Sequence, residues 1–130
     1  MGIMKNESAG SGHILPRKIE KPWGFEILFA ETPRYAGKVL FVRKGCRLSL
    51  QYHKVKDEVL YVHDGKVHAE IERDGENKEV LTLCAGDCVR VAPLTKHRLA
   101  AAEDTTLFEA STPELDDVVR LDDDYGRTSS

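Results

Sequence analysis

The chain has 130 residues, 41% hydrophobic and 32% charged, with a net charge of -3 and a pI near 5.9. That length fits one compact domain with a real core, and the balance of residues is globular rather than disordered. Mild acidity argues against a general nucleic-acid or membrane-surface binder but leaves room for a local basic pocket for a phosphate.

Residues 1–13 are rich in Gly, Ser and polar side chains, His13 among them. They are expected to form a flexible segment ahead of a single domain over 14–130. The opening MGIMKNESAGSGHILPRK lacks the long apolar centre of a secretory signal, and Asn6 stands where a myristoylation signal needs Ser or Thr. No apolar run approaches the ~18 residues of a membrane span. The expected location is the cytoplasm.

From KPWGFEILFA onward the pattern is β. GKVLFVRKG reads as a strand closed by Gly45, and RLSLQYH as the next. EVLYVHDGKVHAEIERDG reads as two strands joined at Asp64-Gly65, a dipeptide that favours a tight hairpin. KEVLTLCAGDCVRVAP gives another pair around Ala85-Gly86-Asp87, and HRLAA and TTLFEAS add two short strands. Val67, Ala69 and Ile71 alternate with His68, Glu70 and Glu72, the mark of a half-buried strand with one wet face. Helical periodicity extends to no more than a turn near Pro113-Glu114. Many short strands with Gly-containing turns predict an all-β sandwich or barrel.

Three cysteines, Cys46, Cys84 and Cys88, form no CxxC pair and read as reduced thiols. The acidic DDDYGR near the C-terminus reads as a solvated tail, the alternative being that Tyr125 and Arg127 fold over the mouth of the barrel. Gln51 and His53, two apart on a strand, point to one face, and Glu58 follows just past a charged turn. These three could converge on a metal or be ordinary strand and turn polars.

Spacing by itself leaves both options open; a resemblance to a known family favours the metal. Gly45, five residues, Gln51-Tyr52-His53, four residues, Glu58, six residues and Gly65 resembles the first cupin motif, with Gln51 in place of its first histidine. The second cupin motif aligns without a gap on Gly86 through Ala101 and keeps Gly86 and His97. Ala92, Leu94 and Ala101 stand where that motif has Pro, Gly and Asn. KPWGFE, RLSLQYH, TKHRL and DDVVRLDDDYGR narrow the resemblance to the cupin domain that ends type II mannose-6-phosphate isomerases, many of them fused to mannose-1-phosphate guanylyltransferases. In that subfamily the first ligand position is commonly Gln. Two stretches depart from it: Arg-Ala-Glu-His-Trp appears here as KDEVL, and the Glu-Asn after HRL is Ala100-Ala101.

The resemblance implies a single-domain cupin, a jelly-roll barrel of six to ten antiparallel strands, pairing as a homodimer through KPWGFEILF. It also implies one divalent metal ion held by Gln51, His53, Glu58 and His97. Two imidazoles, a carboxylate and an amide oxygen suit zinc, manganese, iron or nickel, with zinc the first expectation. The implied substrate is a sugar phosphate, and the implied reaction an aldose–ketose isomerisation through an enediol. Lys56, at the subfamily's arginine position, is the expected phosphate contact, and His68 a candidate acid–base group. Arg98, next to His97, is expected to face the other way, and His63 to be a turn-side polar. The alternatives are a non-catalytic cupin that binds a sugar or sugar nucleotide, and an iron-dependent oxygenase. Guanylyltransfer is excluded, because the chain has neither room for a nucleotide-binding domain nor a Gly-rich phosphate loop.

Overall fold

Side-chain alternation organises the molecule. In the computed structural model, which describes residues 10–73, 75 and 77–129, Glu58, Leu60 and Val62 are buried while Val59, Tyr61 and His63 between them are exposed. The same period sends Val67, Ala69 and Ile71 inward on one strand, and Thr105, Leu107, Glu109 and Ser111 inward on another.

Among the described residues eleven strands result: β1 (Arg17–Lys21), β2 (Gly24–Glu31), β3 (Ala36–Val42), β4 (Leu50–Tyr52), β5 (Glu58–Asp64), β6 (Lys66–Glu72), β7 (Glu79–Cys84), β8 (Cys88–Val91), β9 (Lys96–Ala101), β10 (Thr105–Ser111) and β11 (Val119–Asp122). One sheet runs β1-β2-β3-β10-β5-β8 and the other β11-β4-β9-β6-β7. All named pairings are antiparallel. No helix occurs among the described residues. The strand count exceeds the six to ten expected.

The core lies between the sheets. Leu60, Val62 and Leu107 from one meet Val67, Ile71 and Leu99 from the other, closed by Trp23 and Val42. Part of the same interior is polar instead: Glu26, His53, Lys56, Glu58, His97 and Glu109 are all buried. A jelly roll whose inner face changes from apolar to charged has a site there.

Two expected hairpins are corners instead. β5 and β6, joined at Gly65, lie in different sheets, and so do β7 and β8 across Ala85-Gly86-Asp87. Asp-Gly marks a sharp reversal of the chain, but what pairs with each strand is set by the core it must cover. Gly65 is obligatory at its corner for another reason. Its φ is +103°, and a Cβ there would lie 2.4 Å from the Asp104 carbonyl oxygen. β6 forms its hairpin with β7 instead, in register from Lys66 opposite Cys84 to Ile71 opposite Glu79.

The solvated-tail reading is also corrected. β11 pairs with β4, Arg120 opposite Gln51, and Tyr125 packs against the core. Arg47 holds Asp124 with two hydrogen bonds of 2.7 and 2.9 Å. The alternative of a segment folded over the barrel mouth is the one adopted. At the other end, Gly10–His13 are exposed and precede the first strand, while the rest of the expected flexible segment lies outside the described residues. All three cysteines are free, Cys84 and Cys88 exposed and Cys46 half-buried.

Candidate metal centre

His53 follows β4, Glu58 begins β5, and His97 sits in β9 with Gln51 as its Cα partner on β4. Three elements from two sheets thus deliver their side chains to one place. The ligand-capable atoms of His53, Glu58 and His97 all lie within 4.8 Å of one another, and all three residues are buried. Gln51 lines the same cavity.

The hydrogen bonds define which ring nitrogens face inward. His53 Nδ1 meets the Asp117 carbonyl oxygen, and His97 Nδ1 lies 2.9 Å from that of Thr95. A carbonyl can only accept, so each Nδ1 carries a hydrogen, and Nε2 is the nitrogen that offers a lone pair in the neutral ring. Both Nε2 atoms are buried without a hydrogen-bond partner. They lie 3.7 and 3.6 Å from the two Glu58 oxygens, too far for a hydrogen bond.

Orphaned buried polar atoms are costly unless something satisfies them. Two imidazoles and a carboxylate aimed at one point, with each ring oriented by a carbonyl behind it, fit a divalent ion. Electrostatics agree. Burial holds His97 below its ordinary proton affinity, which keeps its lone pair available near neutral pH. Burial alone would raise Glu58, but the Lys56 ammonium 3.1 Å away works against it, and the carboxyl is held down at about 2.

A family model described as the C-terminal region of mannose-6-phosphate isomerase matches residues 8–123. The chain belongs to that family. Its fold is shared with solved cupins. KdgF from a Halomonas species is 24% identical with a TM-score of 0.68, over 77% of this chain and 88% of its own. The capsular polysaccharide assembling protein CapF from Staphylococcus aureus is 17% identical with a TM-score of 0.70, over 85% of this chain. Oxalate decarboxylase from Bacillus subtilis, a protein with Mn(II) centres, is 20% identical with a TM-score of 0.71, over 80% of this chain. The match spans only 33% of CapF and 29% of the decarboxylase. At these identities the likeness establishes the cupin fold alone. No curated protein matches the chain.

Within this cupin the other expected site residues divide. Lys56 is buried at the cavity, with its ammonium 3.1 Å from Glu58 and 3.0 Å from Glu109. Burial would release its proton, but the two carboxylates hold it. A cation clamped between two anions positions Glu58 and has little charge left for a phosphate. His68 is corrected outright. Its neighbours Val67 and Ala69 take the inner face, so His68 is exposed on the outer one, its Nδ1 3.1 Å from Thr82 Oγ1. No acid–base role at the cavity is open to it. Arg98 does face away: it donates to the Leu48 carbonyl and grips Asp122, fastening β11 to the sheet.

Two residues of this cupin's site are absent from the sequence reading. Glu109 is a buried carboxyl lining the cavity, and burial together with nearby Glu58 raises its proton affinity. The sequence carried little signal for it, since strand alternation groups Glu109 with Thr105, Leu107 and Ser111, a face no more apolar than the one bearing Phe108 and Ala110. Asp117 had none. Its carboxylate accepts the backbone N–H groups of Lys54, Val55 and Lys56 at 3.0, 2.7 and 2.9 Å, in addition to the carbonyl that orients His53.

Proposed function

We propose that this cupin is a cytoplasmic, divalent-metal-dependent isomerase of sugar phosphates, converting mannose 6-phosphate or a related aldose to its ketose through an enediol. The observation that carries the reading is the pair of orphaned Nε2 atoms facing Glu58 on an open cavity. Gln51 supplies the fourth ligand. One divalent ion there, zinc first with manganese, iron or nickel as alternatives, would polarise the carbonyl and hydroxyl oxygens on the two carbons between which the proton moves.

This chain's own residues do the rest. Lys56 fixes the Glu58 carboxylate, and the Asp117 and Thr95 carbonyls fix the imidazole planes. Proton transfer between C1 and C2 needs a group inside the cavity, and Glu109 takes the role once expected of His68. A buried carboxyl with raised proton affinity suits acid–base work near neutral pH.

Metal-loaded protein incubated with mannose 6-phosphate in heavy water is expected to form fructose 6-phosphate or to place deuterium at C2, and metal removal to abolish both. Glu109→Gln should lower kcat by about 100-fold or more while metal content stays unchanged. Metal-loaded protein that neither exchanges nor converts any of several hexose phosphates would leave a sugar-binding cupin instead.

The same reading includes a homodimer. Trp23 and Leu28 of KPWGFEILF are buried in the chain's own core, but Phe29 stays half-exposed. Phe108 stacks on Tyr61 across the outer face of the six-stranded sheet, both of them exposed. An apolar outer face next to an edge strand suits pairing with a second copy. Light scattering at micromolar concentration should return twice the chain mass. A monomer there would refute the pairing.

A further inference from the structure

Five cations line the cavity, and they are not equally paired. Lys38 lies 3.1 Å from Glu26, and Lys56 bridges Glu58 and Glu109. Arg127 grips Asp123 through two nitrogens, at 2.9 and 3.0 Å. The side chains of Lys21 and Arg120, by contrast, carry no hydrogen bond or ion pair among the described residues.

The topology gathers these groups at one opening. Lys21 ends β1 and Arg120 sits in β11, the edge strands of the two sheets, and Arg127 follows in the turn after β11. They are close enough to be felt. Burial lowers the Lys21 ammonium below its ordinary value; Glu26 opposes this, and the charges of Lys38, Arg120 and Arg127 add to the lowering. Like charges gathered on one wall of a half-enclosed cavity repel each other, and an anion entering there relieves the repulsion.

We propose that Lys21, Arg120 and Arg127 form an anion subsite at the cavity mouth that holds the phosphate of a phosphorylated sugar. The assignment of the ligand rests on the sugar-phosphate reading above. Donor geometry selects the group. Five cations face four carboxylates, Glu26, Glu58, Glu109 and Asp123, so the wall keeps a net positive charge, and Lys21 and Arg120 are the two cations with no carboxylate in contact among the described residues. A phosphate monoester is anionic and brings three strong acceptor oxygens, enough to serve both side chains at once, whereas a carboxylate brings two.

Geometry supplies the rest. The Arg120 guanidinium is a planar fork for two phosphate oxygens, and Lys21 adds a point charge. Asp123 holds the Arg127 plane still and leaves it a further nitrogen to donate. Arg120, Gln51 and His97 are Cα partners in a row across β11, β4 and β9. Two strand spacings of about 4.8 Å put the Arg120 backbone roughly 10 Å from that of His97. That is the scale of a hexose 6-phosphate with its reacting carbons at the metal ligands and its phosphate at the mouth.

The test is calorimetric titration of metal-loaded full-length protein with mannose 6-phosphate, mannose, glucuronate and inorganic phosphate. Native protein should bind mannose 6-phosphate more tightly than either mannose or glucuronate, with inorganic phosphate competing. Lys21→Gln/Arg120→Gln should weaken mannose 6-phosphate binding by about tenfold or more, with metal content unchanged. Lys21→Gln alone should give part of that loss, which keeps the test valid if the double variant folds poorly. Undiminished binding in both metal-loaded variants, or a preference for glucuronate, would overturn the subsite. Tight, charge-dependent binding without isomerisation would keep the subsite and sink the isomerase. Conversion by native protein that persists at unchanged KM in the variants would do the reverse.

Discussion

His97→Ala should empty the metal centre. Elemental analysis of gently purified native protein is expected to give near-stoichiometric divalent metal, and the variant little or none. His97 is one of only two imidazoles in the cluster, is 2% exposed, and has no other partner for its Nε2. Loss of a group that merely orients a ligand costs 10–100-fold in metal affinity, so loss of the ligand itself should cost more than about 100-fold. The backbone should survive, because β9 is paired on both sides, with β4 and β6. Thermal melts with and without added zinc separate the two effects. Native protein should be stabilised by the ion in proportion to its binding, and the variant should show no such shift. Full metal occupancy in the variant would overturn the assignment of the centre.

Asp117→Ala should be the most damaging change outside the ligands. Asp117 ties the turn carrying Lys54, Val55 and Lys56 to the segment before β11, and its carbonyl orients His53. Removing the carboxylate leaves three N–H groups without a charged acceptor, which should cost on the order of 2–4 kcal/mol in a denaturant titration. Metal affinity should fall as well, by about 10–100-fold, because the turn that carries Lys56 and leads from His53 to Glu58 loses its anchor. Asp117→Asn keeps one acceptor oxygen and should fall between the two.

Acid distinguishes these variants further. The N–H groups of Lys54, Lys56 and Val55 outweigh burial and hold the Asp117 carboxyl down to about 2, against an ordinary 3.8. A depressed carboxyl stabilises the fold fully above its unfolded value, and the contribution is lost as pH falls through its folded one. Native metal-free protein should therefore lose stability between pH 3.8 and about 2 more steeply than Asp117→Asn. Parallel slopes in that window would show that the carboxylate does not anchor the turn.

Much of this was legible in the chain itself, because strand alternation and motif spacing are local properties. A side chain two residues along a strand must return to the same face, so Gln51 and His53 share a side whatever the rest of the fold does. Val67, Ala69 and Ile71 likewise mark an inward face, and that same rule puts His68 outside, where the structure has it. The Asp64-Gly65 reversal was legible as a turn, since only glycine takes its φ of +103° without strain. Long-range pairing decided the remainder. Whether a turn closes a hairpin or a corner depends on which strands cover the core, so β5 and β6 part into different sheets. Lys56 reads as a free cation until Glu109 arrives from β10, and then it is clamped. Asp117 reaches His53 across 64 residues, and Lys21 and Arg120 share a cavity only because their strands are the edges of two facing sheets. Charge neutralisation and ring orientation are properties of neighbours in space, and no periodicity along the chain encodes which neighbours those will be.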